Sequence, residues 1–241
     1  MIRRSAALCA MIAFTALLAL AQQFWESKPF AGWSKEEVNT ILEKSPWASV
    51  FNRSIESVGH VRVDASGTEM KYDKLSFRVV FVTAKPVRMA LARRAALMDF
   101  AAAAKTDWGK YIDQADEKNI MLAMYFSANP AGSNIELVLS QLLMDLKTAD
   151  LANQTFLSAD AKKVTLQQYD AYGENGYGVK FIFPRSLPDG SPVIGPNAKE
   201  IRFNTVLAIA KDKRLDVLPP TIPISCKWDA KKMTFEGKPM F

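Results

Sequence analysis

The sequence contains two cysteines and one histidine in 241 residues, so the side chains that most often carry nucleophilic or metal chemistry are scarce. Cys9 lies in an N-terminal apolar stretch. If this stretch is cleaved off, Cys226 is the one remaining cysteine, and an intramolecular disulfide is then impossible. A Cys–His nucleophilic pair would have to combine Cys226 with His60. Zinc sites usually need at least three protein ligands with Cys or His prominent, so we expect no metal site. No cofactor motif is present, and we expect no cofactor.

The sequence also lacks an apolar run as long as a typical membrane span. The stretch from Ala6 to Leu20 is shorter than the roughly 20 residues that a spanning helix needs. Arg3 and Arg4 precede it, and Ala19-Leu20-Ala21 ends it with small residues at the positions that signal peptidase requires. This pattern predicts a signal peptide over residues 1–21.

The fate of this leader decides the location of the protein. Cleavage before Gln22 would give a periplasmic or secreted protein. The alternative is an uncleaved anchor that extends through Phe24 and Trp25 and tethers the protein to the membrane.

The sequence carries only a small excess of positive charge. The formal net charge is +6, and Arg3 and Arg4 contribute two of these charges, so the cleaved chain carries about +4. This charge is too small to indicate nucleic-acid binding. We expect the partner to be another envelope protein or a small anionic ligand, and the membrane only if the leader is retained.

Helix signals dominate the first half of the chain. Ser34-Lys-Glu-Glu37 is a capping box that predicts a helix from Lys35 to about Lys44. Alternating apolar residues predict further strands, and cap or proline positions predict further helices. These predicted elements are a strand over 75–81, a helix from Pro86 to Ala104, a short helix from Asp107 through Ile112, a central strand from Ile120 to Phe126 and a core helix that Ser133 opens.

Strand signals dominate after Asp150. Apolar residues alternate over 177–183, 201–209 and 222–228, and a last short strand contains Met233 and Phe235. Pro184 to Pro196 is predicted to be a long mobile surface loop. These patterns predict the α+β class, with an antiparallel or mixed sheet and helices on one side, and they are compatible with one continuous sheet.

We predict a single domain over residues 22–241. It comprises an N-terminal helix segment (22–54), an α/β part (55–150) and a strand-rich part (151–241).

Several short motifs resemble a group of uncharacterised secreted proteins of soil bacteria. They are Lys28-Pro-Phe-Ala-Gly-Trp33-Ser-Lys-Glu-Glu-Val38, Ile41-Leu42, Ser45-Pro46-Trp47, Ala84-Lys-Pro86-Val-Arg88 and Lys232-Met-Thr-Phe235-Glu-Gly237-Lys. The resemblance implies a shared fold and a bacterial extracytoplasmic setting. It implies no activity.

Candidate catalytic groups have simpler structural explanations. Asp113, Asp116 and Glu117 could hold a hard cation or act as acid and base, but their sequence lacks a calcium-loop pattern and fits a solvated helix end. The glycine-rich run 173–178 precedes a strand rather than a helix, which favours a turn over a phosphate-binding loop. Ser158 and Ser186 lack the frame of a nucleophile elbow, and no catalytic residue is predicted. 

Arg94 is the predicted ligand-binding residue. It falls among Val87, Leu91 and Met98 on the apolar stripe of its predicted helix, where a charge must reach water or find a partner. One interpretation is a guanidinium at the floor of a pocket for a carboxylate or phosphate. The other is a buried ion pair, and the candidate partners are Asp99, Glu117 and Asp145.

Aromatic residues cluster near the predicted mature N-terminus, at Trp25, Trp33 and Trp47. They predict either packing that clamps the first helix to the core or a surface for a partner. The sequence as a whole favours a non-catalytic binding or envelope-associated interaction module. The alternative is an extracytoplasmic hydrolase that uses acidic residues without a recognisable motif.

Overall fold

The structure is a computed structural model. It describes residues 24–54, 62–63, 69–70, 74–98, 106–114, 116–129, 131, 134–171, 178–209 and 218–241. The predicted signal peptide, His60, Asp99, Ser133 and residues 173–177 of the glycine-rich run lie outside these ranges. No helix within the described ranges is both long enough and apolar enough to cross a membrane.

The helices begin where the sequence supplies caps. The Ser34 hydroxyl accepts from the Glu37 amide, and the Glu37 carboxylate accepts from the Ser34 amide, which confirms the capping box. Asp107 likewise accepts from the amide of Lys110. The helices are α1 (Phe24–Ser27), α2 (Lys35–Lys44), α3 (Lys85–Met98), α4 (Trp108–Asp113), α5 (Asn134–Asp145) and α6 (Thr148–Leu151), with 3-10 turns at Phe30–Gly32 and Ala230–Lys232.

The strands pair only in antiparallel fashion within the described residues. They are β1 (Ala48–Ser54), β2 (Arg62–Val63), β3 (Glu69–Met70), β4 (Lys74–Phe81), β5 (Asn119–Asn129), β6 (Phe156–Ala159), β7 (Lys162–Thr165), β8 (Gln168–Asp170), β9 (Val179–Pro184), β10 (Glu200–Ala208), β11 (Thr221–Asp229), β12 (Thr234–Phe235) and β13 (Lys238–Pro239).

The α+β class is confirmed, but the strands form two main sheets instead of one continuous sheet. One sheet has the order β1-β4-β5-β9-β8, and the other has the order β11-β10-β6-β7. The pairs β2-β3 and β12-β13 stand apart from both sheets.

The two main sheets pack face to face through aromatic side chains. The ring centroids of Phe181 and Phe203 lie 4.9 Å apart, and those of Phe81 and Trp228 also lie 4.9 Å apart, both in edge-to-face geometry. Tyr169, on the same face as Phe181, donates a 2.6 Å hydrogen bond to the carbonyl of Leu143, so α5 covers part of this inner face. The main core therefore lies between the sheets.

Helices α2 and α3 cover the opposite face of the five-stranded sheet. Arg78 of β4 forms a 3.1 Å ion pair with Glu43 of α2, and Val80 and Ala123 are fully buried beneath this layer. In the middle of β5, Leu122, Ala123 and Met124 are all buried, which confirms the prediction of a central strand covered on both sides.

The N-terminal tryptophans belong to the core. Trp33 and Trp47 are fully buried and Trp25 is 6% exposed. The Trp33 indole N–H donates to the carbonyl of Lys28 at 3.0 Å, and that of Trp47 donates to the carbonyl of Met240 at 2.7 Å. This segment therefore clamps α2 and the end of the chain to the sheets.

The segment from Pro184 to Pro196 is more closely tied to the protein than a surface loop. Ser186 and Pro192 form an isolated bridge around the Asp189-Gly190 turn, and Val193 is fully buried. The proline and glycine content correctly indicates the turn. It does not reveal that Val193 and Ile194 return to the core, because two adjacent buried residues leave no periodic pattern.

Candidate functional site

A cleft opens where β4 passes into α3. Its volume is about 500 Å³, within the range of roughly 300–1,000 Å³ that is usual for small-molecule sites. Four segments supply its walls: the β4–α3 turn, the first turn of α3, helix α4 with the loop that follows it, and β5. The lining residues are Val82, Thr83, Arg88, Tyr111, Gln114, Asp116, Glu117, Lys118 and Met121.

Arg88 is the buried charge of this cleft. Only 7% of the residue is exposed, and burial lowers the pKa of its guanidinium from the ordinary value. Its Nε donates a 2.9 Å hydrogen bond to the carbonyl of Ile112, and Nη1 donates to the carbonyl of Thr83. These bonds tie α3 to α4 and to the preceding turn. Both partners are neutral carbonyls, so they do not neutralise the charge.

A guanidinium has five N–H donors, and the two carbonyls use two of them. Burial has the largest effect on the pKa of Arg88 and lowers it, whereas the charges of Tyr111 and then of Asp113 act to raise it. Asp113 is exposed and forms a 2.8 Å ion pair with Lys85. Within the described part of the chain, no carboxylate lies within salt-bridge distance of Arg88.

The carboxylate of Asp116 is occupied by the loop that it orders. Its oxygens accept from the amides of Lys118 and Asn119, at 3.0 and 2.8 Å, and from the side-chain amide of Asn119. Burial acts to raise the pKa of Asp116, but these hydrogen bonds outweigh burial and hold that pKa below its usual value.

Arg185 binds the same loop on its inner side. Its guanidinium donates to the carbonyls of Asp116 and Asn119, both at 3.1 Å, and to the backbone oxygen of Phe241 at 2.8 Å. Asp116 and Asn119 belong to one loop, whereas Phe241 lies more than 100 residues further along the sequence. The loop that carries Asp116, Glu117 and Lys118 is therefore fixed on its inner side.

The hydroxyl of Thr83 is a further unusual feature of the cleft. Its Oγ1 is buried and has no hydrogen-bond partner among the described residues. A buried polar atom without a partner is destabilising, so such atoms are rare unless a ligand or water completes them. Both Thr83 and Arg88 therefore have hydrogen-bonding groups in this cleft that no described protein group uses.

No protein-family model, curated protein or solved structure matches this chain. The resemblance to secreted proteins of soil bacteria stays a prediction.

Arg94 lies elsewhere on α3. It is half-buried, its Cζ lies 6.0 Å from the centre of the Tyr125 ring, and it does not line the Arg88 cleft. Neither Glu117 nor Asp145 pairs with it within the described residues, and Asp99 lies outside them. A cation over an aromatic face is a third arrangement that our two interpretations did not include. Its predicted role as a ligand-binding residue stays a prediction.

The helical pattern missed Arg88 because the start of α3 is covered on all sides. Every residue from Pro86 to Ala92 is buried. In such a segment a helical wheel cannot separate an inner from an outer face. The alignment of Arg94 with Leu91 on the wheel therefore could not show which arginine lines the cleft. The only available signal was the place of Arg88 in the first turn after a buried strand, where a cation opposes the helix dipole.

The other candidate residues do not converge. Among the described residues, no group of three or more acidic, His or Cys side chains could hold a metal ion. Ser158 lies on β6, and Ser186 forms the bridge with Pro192 in the 184–196 segment. His60 lies outside the described ranges, so its pairing with Cys226 stays untested.

Cys226 points inward, as its alternation with Ile224 and Trp228 predicts. It is 2% exposed, and burial raises the pKa of its thiol to about 11, partly offset by a hydrogen bond with Ser49. At pH 8 such a thiol is only about one part in a thousand thiolate. We expect alkylation in the native protein to be at least about 100-fold slower than in denaturant. Mass spectrometry after timed iodoacetamide treatment measures this, and equal rates in both states would contradict it.

Proposed function

We propose that the protein is an exported, non-catalytic binding module whose cleft at Arg88 receives a small anionic ligand in the periplasm or outside the cell. The observation that carries the proposal is the guanidinium of Arg88, which is buried in a cleft wall with two neutral carbonyls as its hydrogen-bond partners. A carboxylate or phosphate is the complement of such a group. The unused hydroxyl of Thr83 supports the same role.

The charge of Arg88 makes an anion preferable to a neutral ligand. Removing a cation from water is costly unless an opposite charge or several hydrogen bonds replace the water. Asp113 is turned to Lys85, and Asp116 is bound by backbone amides of its own loop. A bound anion would supply the missing compensation.

The acidic-hydrolase alternative finds less support in this cleft. A general acid at neutral pH needs a carboxyl group whose pKa is raised. The hydrogen bond and charge of Lys85 lower the pKa of Asp113, and the pKa of Asp116 is also lowered. Both shifts keep these carboxylates ionised, which suits binding and loop ordering better than proton donation.

Melting experiments with simple anions test the cleft. We expect succinate or phosphate at about 100 times its dissociation constant to raise the melting temperature by about 5–10 °C, with sodium chloride at equal ionic strength as reference. Arg88→Lys keeps the charge but loses the planar fork, so the response should shrink.

Arg93→Met is the matched control for this experiment. Arg93 is on the same helix and donates to the carbonyl of Trp33 at 2.8 Å, but it does not line the cleft. Arg93→Met should lower the melting temperature of the free protein but keep the full rise in melting temperature that anions cause. Equal responses in wild type and Arg88→Lys, or no response in the wild type, would overturn the proposed cleft.

Export is the second part of the proposal. Trp25 is buried against Trp47, so an anchor that ran through Trp25 would have to forgo this packing. Cleavage before Gln22 leaves α1 intact. We expect the intact mass of protein recovered from the cell envelope or medium to correspond to residues 22–241. A product that retains residues 1–21 would favour the anchor instead.

A further inference from the structure

The Arg88 cleft presents groups of opposite charge to the same space. Arg88 lies on a buried wall, whereas Glu117 lies on the exposed loop that follows α4. Val82, Met121 and the ring of Tyr111 add apolar surface to the lining of the cleft. A ligand that fills this cleft therefore meets a cation, an anion and apolar side chains together.

Only one of the two acidic side chains of the cleft is available to a ligand. The oxygens of Asp116 accept hydrogen bonds from Lys118 and Asn119. Glu117 forms no ion pair within the described part of the protein. Its carboxylate is exposed at the rim, so it can accept hydrogen bonds from an ammonium group without giving up a protein partner.

We infer that the ligand is a free α-amino acid. Its carboxylate binds Arg88 and the hydroxyl of Thr83, its ammonium group binds Glu117, and its side chain packs on Met121 and Tyr111. This inference rests on the proposed anion-binding function and adds the second charge of the ligand. It also explains why the cleft pairs a buried guanidinium with an uncommitted carboxylate.

Matched ligands test the two charges separately. The common amino acids are first screened at millimolar concentration by their effect on the melting temperature. The amino acid with the largest effect is then compared by calorimetry with its deaminated carboxylic acid and with its decarboxylated amine. We expect the amino acid to bind at least about tenfold more tightly than the carboxylic acid, and the amine to show no binding.

Two variants assign the contacts. Glu117→Gln should reduce the affinity for the amino acid to that for the carboxylic acid and leave the affinity for the carboxylic acid unchanged.

Thr83→Val should lower the affinity for both ligands. The melting temperature of the free protein should stay the same or rise, because the hydroxyl has no partner there. A purely structural role of Thr83 would not weaken binding. Glu236→Gln changes an exposed carboxylate that does not line the cleft and should change neither affinity.

The outcomes separate this inference from the proposed function. If the carboxylic acid binds as tightly as the amino acid, or if Glu117→Gln leaves their ratio unchanged, the amino-acid inference is wrong and the anion cleft stands. If the amine binds and the carboxylic acid does not, or if no amino acid or simple anion binds, both are wrong.

Discussion

Gly178→Ala is expected to destabilise the protein by about 3–5 kcal/mol. Gly178 has a φ of +68°, a backbone conformation that an L side chain adopts only at a cost. A Cβ at this position would also lie 2.4 Å from the carbonyl oxygen of Met124 and 3.2 Å from Cδ1 of Tyr125. The clash is with the backbone of β5, the central strand of its sheet, which cannot move without disturbing its pairing.

Gly190→Ala is the matched control, because it shares the backbone conformation but not the crowding. Its φ is +79°, and a Cβ there would have no atom within 4 Å. We expect this substitution to lower the free energy of unfolding by only about 1 kcal/mol. Urea denaturation followed by circular dichroism measures both variants. Similar losses would show that the close approach of Gly178 to β5 does not matter.

Gly178 also clarifies the glycine-rich run 173–178. The sequence predicts a turn into a strand over 177–183 and disfavours a phosphate-binding loop, and β9 begins at Val179. The sequence could not show why glycine is needed, because the requirement comes from Met124, which is more than 50 residues earlier in the chain. Residues 173–177 lie outside the described ranges.

Local signals in the sequence predicted local structure well. The caps at Ser34 and Asp107 are made by the atoms that the motifs require. The alternation over 75–81, 201–209 and 222–228 corresponds to β4, β10 and β11. Each of these signals depends on residues close in sequence, so tertiary structure had little to override.

Elements without a strong local pattern were missed. Strand β1 is a half-buried edge strand without alternating apolar residues. The residues that favour extended structure, Ile55 to Val63, come after it in the sequence. Strands β6 to β8 have only three or four residues each, too few for a reliable period. The division into two sheets was also beyond reach, because alternation tells which face a residue occupies but not which strands pair.

The candidate site shows the same limit. The acidic residues before β5 were recognised, but their roles depend on partners that the sequence does not place beside them. Arg185 reaches Asp116 across 69 residues, and Arg88 reaches Ile112 across 24. The helical wheel singled out Arg94, whereas the arginine that lines this cleft is Arg88. The predicted ligand-binding role of Arg94 stays a prediction.

Trp47→Ala is the second substitution with a large expected effect, a loss of about 3–5 kcal/mol in the free energy of unfolding. The side chain is fully buried, its ring lies 5.8 Å from that of Trp25 in edge-to-face geometry, and its Nε1 donates to the carbonyl of Met240. The substitution leaves a cavity where the segment that follows the predicted leader meets the last residues of the sequence.

The contributions of the ring and of its N–H can be separated. Trp47→Phe keeps an aromatic ring but leaves the Met240 carbonyl without its 2.7 Å donor, so we expect an intermediate loss of about 1–3 kcal/mol. A double-mutant cycle of Trp47→Ala with Trp25→Ala should give a coupling energy of about 0.5–1.5 kcal/mol, since the two rings are in direct contact. Trp108→Ala, which removes a half-buried ring on α4, is the reference and should cost less than Trp47→Ala. Additive effects of Trp25 and Trp47 in urea denaturation would mean that α1 is not held through this contact. The packing of Trp25 would then no longer argue against an anchor that extends through it.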